Sequence, residues 1–190
     1  LVKEVDVKSL AEIYENYKGP DGFGDKGTAH SYLPVYRDEM TQRDGISLLE
    51  IGVCQGHSIK MWMEYFSNSE ILGLDIDLTG LIFEDLPVAK CNATKAEELD
   101  LLLGDDEFDY IIDDGSHQVQ DQIASLELLW PRVKDRGKYF IEDIKSNPEL
   151  LLLQAYATSR DYNFRTYDLR ATKGRSDDIL LVITKEHLWQ

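Results

Sequence analysis

The chain has 190 residues, 43% of them hydrophobic and 10% aromatic, which is enough apolar material for one packed core and too much for a disordered chain. Its 20 Lys+Arg against 36 Asp+Glu leave a net charge of −16 with no basic run to offset it, which argues against nucleic acid as a partner. No apolar stretch approaches the roughly 18 residues of a membrane span, the opening LVKEVDVKSL lacks a signal-peptide core, and Cys54 and Cys91 show no metal or disulfide spacing, so a reducing cytoplasm is expected.

Residues 1–44 are expected to carry an N-terminal helix and a flap ahead of a core at 45–190, all within one domain. The stretch DGFGDKGTAHSYLPVYRDEM, residues 21–40, reads as too polar for a core element; it is either a surface loop or a flap over a ligand site, with Lys26, His30 and Tyr32 as candidate acceptor contacts. Apolar runs that end in acid or glycine, or run into it, then recur at Ser47–Gly52, Ile71–Asp75, Phe108–Asp113 and Lys138–Ile141, with a further short strand at Val88–Lys90. Between and after them, Ser58–Phe66, Lys95–Leu103, His117–Val133 and Pro148–Arg160 read as helices. Strands joined by helices of this length pair in parallel with right-handed crossovers. The end of the chain breaks the rhythm, because RATKGRSDD joins the runs Tyr162–Leu169 and Ile179–Thr184 with turn formers and charge, as in a β-hairpin. The expected fold is α/β, a doubly wound, mostly parallel seven-stranded sheet closed by a C-terminal antiparallel hairpin, with its ligands at the carboxyl ends of the strands.

Those strand ends carry the candidate chemistry. In LLEIGVCQGHS, residues 48–58, Glu50, Gly52, Gly56 and Ser58 flank a strand-to-helix turn that either needs glycine for its own geometry or lets a ligand approach the backbone. Cys54 occupies the middle glycine position of the dinucleotide fingerprint, which disfavours a nicotinamide cofactor. Asp75 ends the next strand about twenty residues on, where an acid accepts both hydroxyls of a ribose. Asn92 and Ala93 lie in a turn after the third strand and either shape that turn or reach the far end of a nucleoside. In FDYIIDDGSHQ and KYFIEDI, Asp113, Asp114, Glu142 and Asp143 converge if the two strands are neighbours. They are then either solvated strand-end acids or hard ligands for Mg²⁺ or Mn²⁺, beside which His117 would serve as a general base.

The set E-x-G-x-x-x-G-x-S at 50–58, G-L-D at 73–75, I-I-D-D-G-S-H at 111–117 and I-E-D at 141–143 resembles the class I S-adenosylmethionine-dependent methyltransferases. More narrowly, it is similar to the metal-dependent sugar O-methyltransferases of macrolide and polyketide pathways, the mycinamicin and macrocin type, and to a related cephalosporin-modification group. The D-K-G-x-x-H-x-Y run at 25–32 fits the same group. The resemblance implies that Asp114, Glu142 and Asp143 hold Mg²⁺ and that His117 is the base. It further implies that Glu50, Gly52, Gly56, Ser58, Asp75, Ile76, Asn92, Ala93 and Asp113 bind S-adenosylmethionine. The implied partner is a hydroxylated small molecule, a sugar, with no membrane and with homo-oligomers left open; a non-catalytic domain that binds the cofactor is the alternative.

Overall fold

The structure is a computed structural model that describes residues 8–19 and 24–186. The first residues of the expected flap, 21–23, lie outside that range. Seven strands form one sheet: β1 (Ser47–Ile51), β2 (Glu70–Asp75), β3 (Val88–Lys90), β4 (Phe108–Asp113), β5 (Val133–Ile141), β6 (Asn163–Asp168) and β7 (Ile179–Thr184). Their spatial order is β3-β2-β1-β4-β5-β7-β6, parallel from β3 through β5, with β7 antiparallel to both β5 and β6. Strand order reverses between β1 and β4, so the cleft outside their carboxyl ends is the place where such a sheet binds ligands.

Alternation along the strands splits the core in two. Leu48, Tyr110, Ile112, Phe140 and Val182 face one side with Trp62 of α3 (His57–Tyr65), Tyr36 of α2 (Leu33–Glu39) and Ile13 of α1 (Leu10–Tyr17). Leu49, Ile111, Tyr139, Ile141 and Leu181 face the other with Leu99 of α4 (Ala96–Leu103), Leu126 of α5 (Val119–Leu129) and Leu153 of α6 (Asn147–Ser159). Near-continuous apolar strands follow from this two-sided burial.

The structure corrects four expectations. The helix expected over His117–Val133 is shorter at both ends: His117 precedes α5 with a left-handed φ of 53°. At the far end Pro131, which has no amide hydrogen for the helical ladder, sits in a single 3-10 turn, Trp130–Arg132. β5 therefore begins at Val133 and not Lys138; a register shift opposite Phe108 and Tyr110, with Arg136 at φ 64°, absorbs the turn-like KDRG as a bulge. Within 24–40 the chain packs inward, since α2 buries Val35 and Tyr36, and the tyrosine hydroxyls ahead find carboxylate partners. The hairpin loop also holds one helical turn, α7 (Arg170–Lys173). Among the described residues no helix is long and apolar enough to cross a membrane.

Leu49 is fully buried in the central strand. Leu49→Ala is expected to lower unfolding free energy by about 2–5 kcal/mol, read as a lower urea midpoint with an unchanged m-value.

Candidate active site

The same alternation decides where each acid at the carboxyl rim points. Asp113 follows Ile111 to the α5 side, where it accepts bonds from Ser125 Oγ, from Tyr139 Oη at 3.3 Å and from the Gly115 amide at 3.3 Å. Glu50 goes to the opposite side, fully buried, and accepts from Ser58 Oγ on α3 at 2.7 Å. Glu142, one residue beyond β5, follows Phe140 to that side and accepts from Tyr36 of α2.

Lys26 enters among these groups. Its ammonium lies 2.6 Å from Glu142, 2.7 Å from Asp114 and 3.2 Å from Glu50. Burial alone would lower its pKa, yet the charges of Asp114, Glu142 and Glu50 carry it well above the ordinary lysine value. One ammonium does not neutralise three carboxylates. Burial first, then the charge of Asp114, push Glu142 well above the usual carboxylate range, against the pull of Lys26. Of the expected acceptor contacts, His30 and Tyr32 are 1% and 0% exposed and line neither of the two cavities along the rim, so they stand behind the rim acids as supports; Lys26, 3% exposed, lines one of those cavities.

Asp114, His117 and Asp143 come together in front of that layer. One ligand atom from each lies within 4.8 Å of the others, with His117 Nε2 3.8 Å from Asp143 Oδ2. His117 and Asp143 both sit at a φ of 53°, a conformation rare for non-glycine residues, which turns the two side chains back over the rim. Asp143 accepts from Tyr32 Oη at 2.8 Å, while burial, then Asp114, push its carboxyl up to about 7. Burial holds His117 below its ordinary value, and its Nδ1 has no hydrogen-bond partner. Carboxylate oxygens and one imidazole with no thiolate fit Mg²⁺ or Mn²⁺, and a divalent cation would discharge the Asp114–Asp143 pair. Glu142 shares the Lys26 ammonium with Asp114 and accepts from Tyr36, and it is not among the three groups that meet within 4.8 Å.

Two adjoining cavities line the rim, sharing Gly52, Asp75 and Gly115. The first, about 310 Å³, holds Asp75, Ile76, Asn92, Ala93 and Asp113, and Ile76 is 65% exposed although apolar, as befits a face for a flat ring. Asp75 Oδ2 accepts from the amides of Val53 (2.8 Å) and Cys54 (3.0 Å) and Oδ1 from that of Asp77 (3.0 Å), which fixes the glycine turn and leaves acceptor capacity on Oδ1. Burial raises Asp113 to about 6. Gly52 is required here: its φ is 84°, and an added Cβ would lie 2.0 Å from the Asp114 carbonyl oxygen. The second cavity, about 460 Å³, contains Ser58, Asp114, His117 and Asp143. Ser116, Asp121 and Ser125 in the first and Arg175 and Asp177 in the second escaped the sequence reading. Only the placement of the last two in the hairpin loop pointed to them.

No family model matches the chain. It is 34% identical over 145 residues to mycinamicin VI 2''-O-methyltransferase of Micromonospora griseorubida, covering 71% of this chain and 36% of that protein. Over 134 residues it is 29% identical to 8-demethyl-8-alpha-L-rhamnosyl tetracenomycin-C 2'-O-methyltransferase of Streptomyces olivaceus, covering 65% and 35%. The chain thus matches 35–36% of the length of these curated relatives. A solved methyltransferase of the mycinamycin pathway, in complex with Mg, SAH and mycinamycin VI, superposes with a TM-score of 0.71 at 24% identity over 95% of this chain and 56% of that one.

Lys26→Met strips the buried carboxylates of their cation and is expected to cost about 3–5 kcal/mol. Acids whose folded pKa is raised weaken the fold as pH rises through that value, so the loss is expected to be larger at pH 8 than at pH 5 in paired urea titrations.

Proposed function

We propose that this chain, which has the class I methyltransferase fold and is related to the sugar O-methyltransferases of antibiotic pathways, transfers a methyl group from S-adenosylmethionine to a hydroxyl of a glycosylated small molecule with the help of Mg²⁺. The observation that carries this reading is the junction of the two cavities at Asp75 and Gly52, where a nucleoside-sized pocket opens onto Asp114, His117 and Asp143.

Asp75 accepts the ribose hydroxyls, Ile76 and the Asn92–Ala93 turn bound the adenine, and Gly52 to Ser58 with Glu50 enclose the methionine part. The cofactor supplies an electrophilic methyl on a sulfonium, and the negative rim favours that cation. Asp114 and Asp143 hold the divalent cation, whose contribution is to polarise the acceptor and lower the pKa of its hydroxyl. Glu142 holds Lys26, which in turn fixes Asp114 from behind. His117, kept neutral by burial, takes the acceptor proton on its imidazole as the C–O bond forms and the S–CH₃ bond breaks. Much of the acceleration comes from holding oxygen and methyl in line in a closed pocket. A small-molecule partner accords with the net charge of −16, and a reducing cytoplasm with the free Cys54 and Cys91.

The test is transfer from methyl-labelled cofactor to a panel of deoxysugar glycosides and catechols, with and without EDTA. Transfer is expected only in the untreated arm; equal activity in both would remove the metal from the reading, and cofactor binding without any transfer would favour a binding domain. His117→Ala is expected to lower turnover about 10²–10⁴-fold while S-adenosylhomocysteine affinity by calorimetry stays within twofold. Because burial lowers the imidazole pKa, the acid limb of the wild-type pH–rate profile is expected to have its midpoint below the ordinary histidine value.

A further inference from the structure

The flap at 24–32 has no regular element and is held internally by three turn bonds: Thr28 and His30 amides to the Asp25 carbonyl (3.1 and 2.9 Å) and the Tyr32 amide to the Lys26 carbonyl (3.0 Å). It nevertheless supports both acids of the proposed metal set, Asp114 through Lys26 and Asp143 through Tyr32, whose hydroxyl also accepts from the Asp143 amide at 3.2 Å. Tyr14 of α1 holds the flap's start, with its hydroxyl 2.7 Å from the Gly24 carbonyl and 3.0 Å from Thr28 Oγ1, and the other end of the chain holds its middle. Lys173, in the single turn of α7, donates to the carbonyls of Gly27 (2.6 Å), Thr28 (2.9 Å) and His30 (2.5 Å). Three N–H donors meet three backbone acceptors, the full capacity of an ammonium. One further bond continues the seam, from the Ser31 amide to Asp178 Oδ1 at 3.1 Å, and the Asp177 carbonyl lies 3.2 Å from Tyr32 Oη, whose one proton goes to Asp143.

We infer that Lys173 is a positioning residue for the metal set, clasping the flap to the β6–β7 loop so that the two form a single wall. It lines neither cavity, and its three acceptors are all flap carbonyls, so its influence passes entirely through Lys26, His30 and Tyr32. The inference rests on the reading of Asp114 and Asp143 as metal ligands. It also gives the hairpin loop a role that its own pocket residues, Arg175 and Asp177, do not supply.

The test compares wild type, Lys173→Met and Lys173→Arg in two measurements on the whole chain: hydrogen exchange at the amides of Thr28, His30 and Tyr32, and Mn²⁺ binding followed by electron paramagnetic resonance. Lys173→Met is expected to speed flap exchange and weaken Mn²⁺ binding, each by about tenfold, with β1 and β4 amides unchanged. Lys173→Arg, which keeps charge and donors, is expected to restore both. Faster flap exchange with unaltered Mn²⁺ affinity would make Lys173 a structural clasp only and overturn the inference, as would unaltered exchange or failure of the arginine to rescue. Wild type that binds no Mn²⁺ overturns the metal reading and this inference with it, whereas wild-type binding that Lys173→Met leaves intact overturns this inference alone.

Discussion

A buried ammonium surrounded by three carboxylates is costly unless all are held at short range, and the Lys26 network meets that condition with contacts from three strand ends. Glu50 leaves β1, Asp114 follows β4 and Glu142 follows β5, so a single side chain from the flap ties together the central rim of the sheet. The desolvation of these groups is offset only while the flap remains docked. Tyr36 and Ser58 complete the shell by donating to Glu142 and Glu50. Removal of Lys26 would leave Glu50 and Glu142 buried without their cation.

This buried layer makes a second, more open layer possible. With Glu50 and Glu142 committed inward, Asp114, His117 and Asp143 are the groups left facing the cavity, and the left-handed backbone at His117 and Asp143 aims them. The cost of that backbone is met by rigid neighbours: β4 and β5 pair in register from Tyr110 to Asp113, and Tyr32 bonds Asp143 at both its carboxylate and its amide. The cofactor half of the rim is organised differently, by Asp75 holding the glycine turn through two amides. Its groups belong to strand ends and short turns, so that half needs no flap to complete it.

Much of the architecture was legible in the chain. Short apolar runs ending in acids marked the strands to within a few residues, because a strand buried on both faces shows as a continuous apolar stretch. The errors fell where a local signal competes with tertiary context. A start at Lys138 misses the first part of β5, which holds a bulge; the helical stripe that reaches Val133 is cut by Pro131; a polar, glycine-containing stretch that reads equally as surface loop or ligand flap is packed inward through Lys26, whose carboxylate partners lie 24, 88 and 116 positions away.

By itself the sequence determined the strand–helix order, the terminal hairpin, and which acids and glycines stand at the strand ends, since these depend on neighbours within a few positions. It also put Asp114, His117 and Asp143 just past two strand ends, their convergence conditional on those strands being neighbours. Only the tertiary structure decided that Glu142 pairs with Lys26 and is not among the three groups that meet, that His30 and Tyr32 are supports, and that Lys173 reaches the flap. Those outcomes depend on strand order and on side-chain alternation carried past a strand's end, and a one-residue shift in either sends a carboxylate to the opposite face of the sheet.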